Sequence, residues 1–119
     1  YQRAGAPSPA RGDGRGASLI ALDSAFSGAP DDSWLQAMLP HSRVVLRSNN
    51  RDVQARLCLQ GAGVCVLPRP LGDSLPGLER LDLGEDPPGR DTWLGYHRDL
   101  RRLARLRALM DFVVDRLAP

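Results

Sequence analysis

The chain has 119 residues, 42% of them hydrophobic, enough for one globular core and too few for two full domains. Sixteen basic residues against 14 acidic ones leave a net charge of +2, and a pI of about 8.9 falls short of a nucleic-acid footprint carried by charge alone. The apolar runs are only a handful of residues long, which excludes a membrane span, and the opening residues lack the pattern of a signal peptide.

Residues 1–18 hold four Gly, two Pro and three Arg but no Leu, Ile, Val, Met or Phe. Such a stretch has little apolar surface to offset its ordering entropy and is expected to be a flexible arm or linker. Its Arg11-Gly12-Asp13 tripeptide is read as chance in an Arg/Gly-rich segment. Ser18-Leu19-Ile20-Ala21-Leu22-Asp23 then predicts a first strand. Trp34 to Leu39 predicts a short helix, with Asp31 and Asp32 at its positive end and Pro40 to stop it. Arg43-Val44-Val45-Leu46-Arg47 predicts a second strand, and Ser48 or Asn49 offers the N-cap of a helix running to about Gln60. Gly61 suits the left-handed position that ends such a helix.

Val64-Cys65-Val66-Leu67 is a continuous apolar run bounded by Gly63 and Pro68, as in a strand buried on both faces. Residues 78–83 alternate apolar and charged side chains with the period of a strand, and Asp86-Pro87-Pro88-Gly89 breaks the chain. Thr92-Trp93-Leu94-Gly95-Tyr96-His97 predicts a last strand. A helix between Asp99 and Leu117 follows, with Leu103, Leu106, Met110, Val113 and Leu117 on one stripe. Strands alternating with helices predict an α/β layer with a mixed, mostly parallel sheet and flanking helices.

Cys58 and Cys65 match neither a C-x-x-C redox pair nor a zinc framework, and neither His41 nor His97 has a second ligand near it in sequence. No metal or other cofactor is expected, and buried free thiols suit a reducing, cytoplasmic compartment. Gly61-Ala62-Gly63 follows a helix and precedes a strand, the reverse of a dinucleotide-binding turn, so it reads as a helix cap. Arg98, Arg101, Arg102, Arg105 and Arg107 allow a nucleic-acid face or a solvated helix face; no stacking aromatics interleave with them. No catalytic set emerges, and the chain is read as non-enzymatic.

The most informative segment is Arg47-Ser48-Asn49-Asn50-Arg51, where a strand ends and a helix begins at the carboxyl edge of the expected sheet. Open α/β sheets bind ligands at that edge, and free N–H groups with hydroxyl and amide side chains suit a carboxylate or phosphate. Plain helix capping fits the same residues.

The ordered set Leu19–Asp23, Arg43–Asn49, Gly61–Pro68, Leu75–Leu81, Trp93–Arg102 and Ala104–Val113 resembles the C-terminal part of the effector-binding domain of LysR-type transcriptional regulators. The resemblance covers about residues 18–118. It implies a type 2 periplasmic-binding-protein-like fold, with residues 19–84 as second-lobe-like and 85–119 as the return strand and C-terminal helix. It also implies a small effector between the lobes, lined by Arg47, Ser48, Asn49 and Asn50 with Leu67 and Pro68 beside them. Self-association is implied too, with DNA contacted only through a helix-turn-helix domain that residues 1–119 do not include. A solute-binding protein or small enzyme of the same fold is the alternative, followed by an Arg-rich nucleic-acid-binding protein.

Overall fold

The computed structural model describes residues 1–23, 25 and 28–117, and the chain divides into two units, Tyr1–Gly89 and Arg90–Pro119. The division falls at the Pro87-Pro88-Gly89 break, where two prolines deny the backbone its donors. In the first unit the elements run β1 (Gln2–Arg3), β2 (Ser18–Ala21), α1 (Pro30–Met38), β3 (Arg43–Arg47), α2 (Arg51–Leu59), α3 (Arg69–Asp73) and β4 (Leu78–Glu79).

β2 is the central strand because its side chains serve both faces of the layer. Leu19 joins Leu35, Leu39, Val64 and Leu83 in one buried cluster, with Trp34 and Met38 of α1 packed on it. Ile20, its neighbour, joins Ala55, Cys58, Cys65 and Leu67 in the other, against α2 and α3. Helices therefore cover the strands on both sides, and each buried Leu, Ile or Val stabilises the unit by about 1.5–3 kcal/mol. β2 pairs in parallel with β3, with an irregularity after Leu19, and in parallel at a single bridge between Leu19 and Val64. β1 and β4 pair antiparallel. The strands are short and form two two-stranded sheets, one parallel and one antiparallel, so the expected single, mostly parallel sheet is not seen among the described residues.

Local chemistry sets the helix ends. α1 starts with proline at its first position and stops before Pro40. The N-cap of α2 is Asn50, just after the Ser48 or Asn49 expected, because its Oδ1 reaches the N–H groups of both Asp52 and Val53. Gly61 closes α2 with φ of +82°. Its N–H bonds Cys58 O at 2.9 Å while Ala62 N–H bonds Leu57 O at 3.0 Å, a double closure that needs a left-handed residue. The Gly61-Ala62-Gly63 run is thus a helix cap. The turn-rich stretch after Pro68 holds the short α3, which the sequence pattern did not single out.

The segment read as a flexible arm is bonded into the first unit. Gln2 is buried, and its amide donates to Ala6 O, Ser8 Oγ and Glu79 Oε1. Gly12 N–H bonds Met38 O, and His41 N–H bonds Asp13 O. Gly14, at φ +73°, lies so close to Leu39 that a Cβ there would sit 2.7 Å from the Leu39 Cβ. Backbone bonds, Tyr1 and Gln2 do the work that aliphatic side chains do elsewhere.

The second unit contains a 3-10 turn at Arg98–Leu100 and α4 (Ala104–Leu117). Of the expected stripe, Leu106, Met110 and Val113 are half-buried while Leu103 and Leu117 are exposed, and no described residue of this unit is buried. Residues 92–97 form no strand: the unit offers no second strand among its described residues, and an extended segment cannot hold a ladder alone. The last two residues of the expected 85–119 region, 118 and 119, lie outside the described residues.

Candidate functional site

The parallel strands place their carboxyl ends on one edge of the first unit, and the chain leaves that edge through Leu22–Asp23, Ser48–Asn50 and Pro68. The starts of α1 and α2 return to the same edge, so the positive ends of two nine-residue helices face it.

Arg51, the first residue of α2, is the hub of this corner. Its guanidinium donates to Val66 O and Gln54 Oε1, each at 2.9 Å, and pairs with Asp31 at the start of α1. The Asp31 side chain is 8% exposed and the Arg51 side chain 25%, so the pair is shielded from the screening that weakens surface ion pairs. Gln54, fully buried, carries the network inward: its amide donates to Ser48 O at 2.5 Å and Ala21 O at 3.3 Å. Asp32 accepts from Leu22 N–H at 3.2 Å and from the Gln36 amide at 2.9 Å. One connected set of polar groups thus ties the ends of β2, β3 and residues 64–67 to two helix starts.

The sequence-expected residues take different places around this hub. Ser48 Oγ accepts from Asn50 N–H at 3.2 Å, and Asn50 Oδ1 accepts from Asp52 and Val53 N–H, so both side chains cap the corner. Arg47 donates one bond to Leu22 O at 2.8 Å and is otherwise exposed. Asn49 is exposed, and its side chain forms no hydrogen bond among the described residues. Arg47 through Asn50 therefore stand together on one turn. Leu67 does not join them: its side chain is buried with Ile20 and Cys58. Pro68 is exposed as the N-cap of α3.

Sequence reasoning missed the hub. Asp31 and Asp32 were read only as dipole partners of α1, and Arg51 only as the end of a polar string. The available signal was Gln54, a polar residue spaced three after Arg51 and four before Cys58 on the buried face of α2.

Cys58 and Cys65 are free, buried and share one cluster. The Cys65 thiol is pushed up by its hydrogen bond with Cys58 and by burial, so it stays protonated. Among the described residues, no group of three or more His, Cys, Asp and Glu is placed to hold a metal ion. The five arginines of residues 98–107 are all exposed, spread over the 3-10 turn, the link after it and the first turn of α4. No helix among the described residues is long and apolar enough to cross a membrane.

A family model described as the LysR substrate binding domain matches residues 6–118, nearly the whole chain. No curated protein and no solved structure matches it significantly.

Proposed function

The chain belongs to the LysR substrate-binding domain family, and from that premise we propose that it senses a small anionic effector at the corner formed by Arg47, Ser48, Asn49 and Asn50. The family match implies a type 2 periplasmic-binding-protein-like α/β fold and a ligand-sensing regulatory module of transcriptional regulators, which are not enzymes. The observation that carries the site is the exposed Arg47 guanidinium and Asn49 amide standing on one turn at the edge where two helices start.

The residues divide the work. Asn50 and Ser48 already satisfy the first turn of α2, so an incoming carboxylate does not compete for those N–H groups. It meets instead the Asn49 amide and the outward N–H groups of Arg47, a planar fork suited to a carboxylate. The Arg51–Asp31 pair behind them holds the turn in place, so little ordering is spent on binding. Pro68, exposed on the same edge, shapes the side of the site, while Leu67 stays in the core behind it.

Occupancy then acts as a population shift, favouring the lobe arrangement that closes on the effector and altering the oligomer that presents the DNA-binding domains. In this reading the regulator works in the cytoplasm, self-associates, and reads its operator through a helix-turn-helix domain rather than through residues 98–107.

A thermal-shift screen of small carboxylates tests the site. A hit is expected to raise the Tm of the wild-type chain and to lose that shift in Asn49→Ala, whose unliganded Tm is unchanged. Equal shifts in wild type and Asn49→Ala would contradict the assignment.

A further inference from the structure

Two thiols meet between α2 and residues 64–67. Gln54, Ala55 and Cys58 share the buried face of α2, and Arg51 bonds Val66 O at the start of the same helix. Across from it, the alternation of an extended chain sends Cys65 and Leu67 to the α2 side and Val64 to the other. Cys58 and Cys65 are 0% and 1% exposed. Both reach one carbonyl: Cys58 Sγ donates to Tyr1 O at 3.5 Å, and Cys65 N–H donates to the same oxygen at 3.1 Å. The Cys65 thiol also lies 3.9 Å from Gln54 O, one helical turn before Cys58. The two thiols hydrogen-bond each other.

The chain between the two cysteines follows a fixed path. Gly61 N–H closes on Cys58 O and Ala62 N–H on Leu57 O, while Val64 N–H bonds Ser18 O at 2.8 Å. A turn anchored at both ends holds the thiols together without further ordering of the chain. The pair is also chemically unequal. The hydrogen bond from Cys65 pulls the Cys58 thiol down, whereas the same bond and burial push the Cys65 thiol up. A thiolate therefore forms on Cys58, with a protonated thiol beside it. Neither side chain takes part in the Arg47–Asn50 corner.

We propose that Cys58 and Cys65 form a peroxide-sensitive dithiol, which oxidation converts to an intramolecular disulfide pinning the end of α2 to residues 64–67. The Cys58 thiolate attacks one oxygen of hydrogen peroxide, the O–O bond breaks, and Cys58 becomes a sulfenic acid. The departing hydroxide takes the Cys65 proton and leaves as water. The Cys65 thiolate then attacks the Cys58 sulfur, forming the S–S bond and breaking the S–O bond. The second hydroxide takes a proton from solvent, replacing the one Cys58 had given up. One peroxide is thus reduced to two waters as two thiols are oxidised to a disulfide. Burial selects the oxidant: small, uncharged peroxide enters through brief local openings, while bulky or charged reagents are held out. The bridge adds a covalent tie at the end of α2 to the hydrogen bond that Arg51 makes at its start, so oxidation stiffens the joint between the two elements. The thiol pair stands independently of the effector site.

The test treats the reduced, folded chain with hydrogen peroxide and reads its intact mass. The expected product is a monomer lighter by two hydrogens, with no thiol left to alkylate after unfolding, and dithiothreitol restores both thiols. Its Tm is expected to exceed that of the reduced chain by several degrees, up to about 10 °C, because the bridge closes a loop in the unfolded state. Cys65→Ser should stop at a sulfenic acid on Cys58, captured by dimedone. Cys58→Ser should react with peroxide at least about tenfold more slowly. Sulfinic acid without loss of two hydrogens, a disulfide-linked dimer, or thiols that stay fully alkylatable would overturn the proposal. A bridged chain whose Tm lies at or below that of the reduced one would overturn it too.

Discussion

The two units carry similar apolar patterns and treat them differently. α1 and α2, nine residues each, bury side chains against strands, whereas the 14 residues of α4 bury none among themselves and their own unit. Leu109, Phe112 and Leu117 are more than half exposed, and Trp93 is 86% exposed. Amphipathic spacing thus predicts a helix but not its burial. A sheet face, with side chains arriving from several strands, decides that.

The sharpest way to break this contrast is a pair of truncations. Ile20→Ala, at 1% exposure between Ala55 and Cys58, is expected to cost about 3 kcal/mol in urea unfolding. Leu109→Ala, at 57% exposure on α4, is expected to stay within about 0.5 kcal/mol. Equal losses would mean that the second unit has a core of its own. Arg51→Ala comes next. It removes an ion pair and two hydrogen bonds to neutral acceptors that tie two helix starts to residues 64–67, and is expected to cost about 2 kcal/mol by the same measurement. A neutral result would reduce the hub to a surface contact.

The smallest effect is a pH dependence at the exposed rim of the first unit. Arg80, with help from the Tyr1 hydroxyl, holds the Asp73 carboxyl down at about 2. A depressed carboxyl stabilises the folded state above the ordinary carboxylate range, and its contribution is lost as pH falls from about 4 through about 2. Carboxyl NMR titration should find that low midpoint, and Arg80→Ala should return it toward the ordinary range. A wild-type midpoint near 4 would contradict the contact.

Much of this was legible in the sequence, and the failures share a cause. Ser18–Ala21, Arg43–Arg47 and the cap at Gly61 follow from local pattern because burial and dihedral preference act on those residues directly. The α/β class and the LysR resemblance followed from their order. Residues 1–18 were misjudged because composition counts aliphatic side chains, while Tyr1, Gln2 and Gly14 are held by backbone bonds and close approach. Residues 80–83 read as strand and keep its alternation, yet lack a ladder because pairing belongs to two segments at once. At the candidate site, Arg47–Asn50 were visible as a polar turn. The Arg51–Asp31–Gln54 hub was not, since its ion pair joins residues 20 positions apart.

The central claim is that effector recognition lies at the Arg47–Asn50 corner of the first unit. Its most direct test is an amide NMR titration of the chain with a carboxylate that raises its Tm. The largest shift changes are expected at Arg47, Ser48, Asn49 and Asn50, with smaller ones at Leu67. Changes confined to residues 80–87 or 98–107, with the corner unmoved, would contradict it.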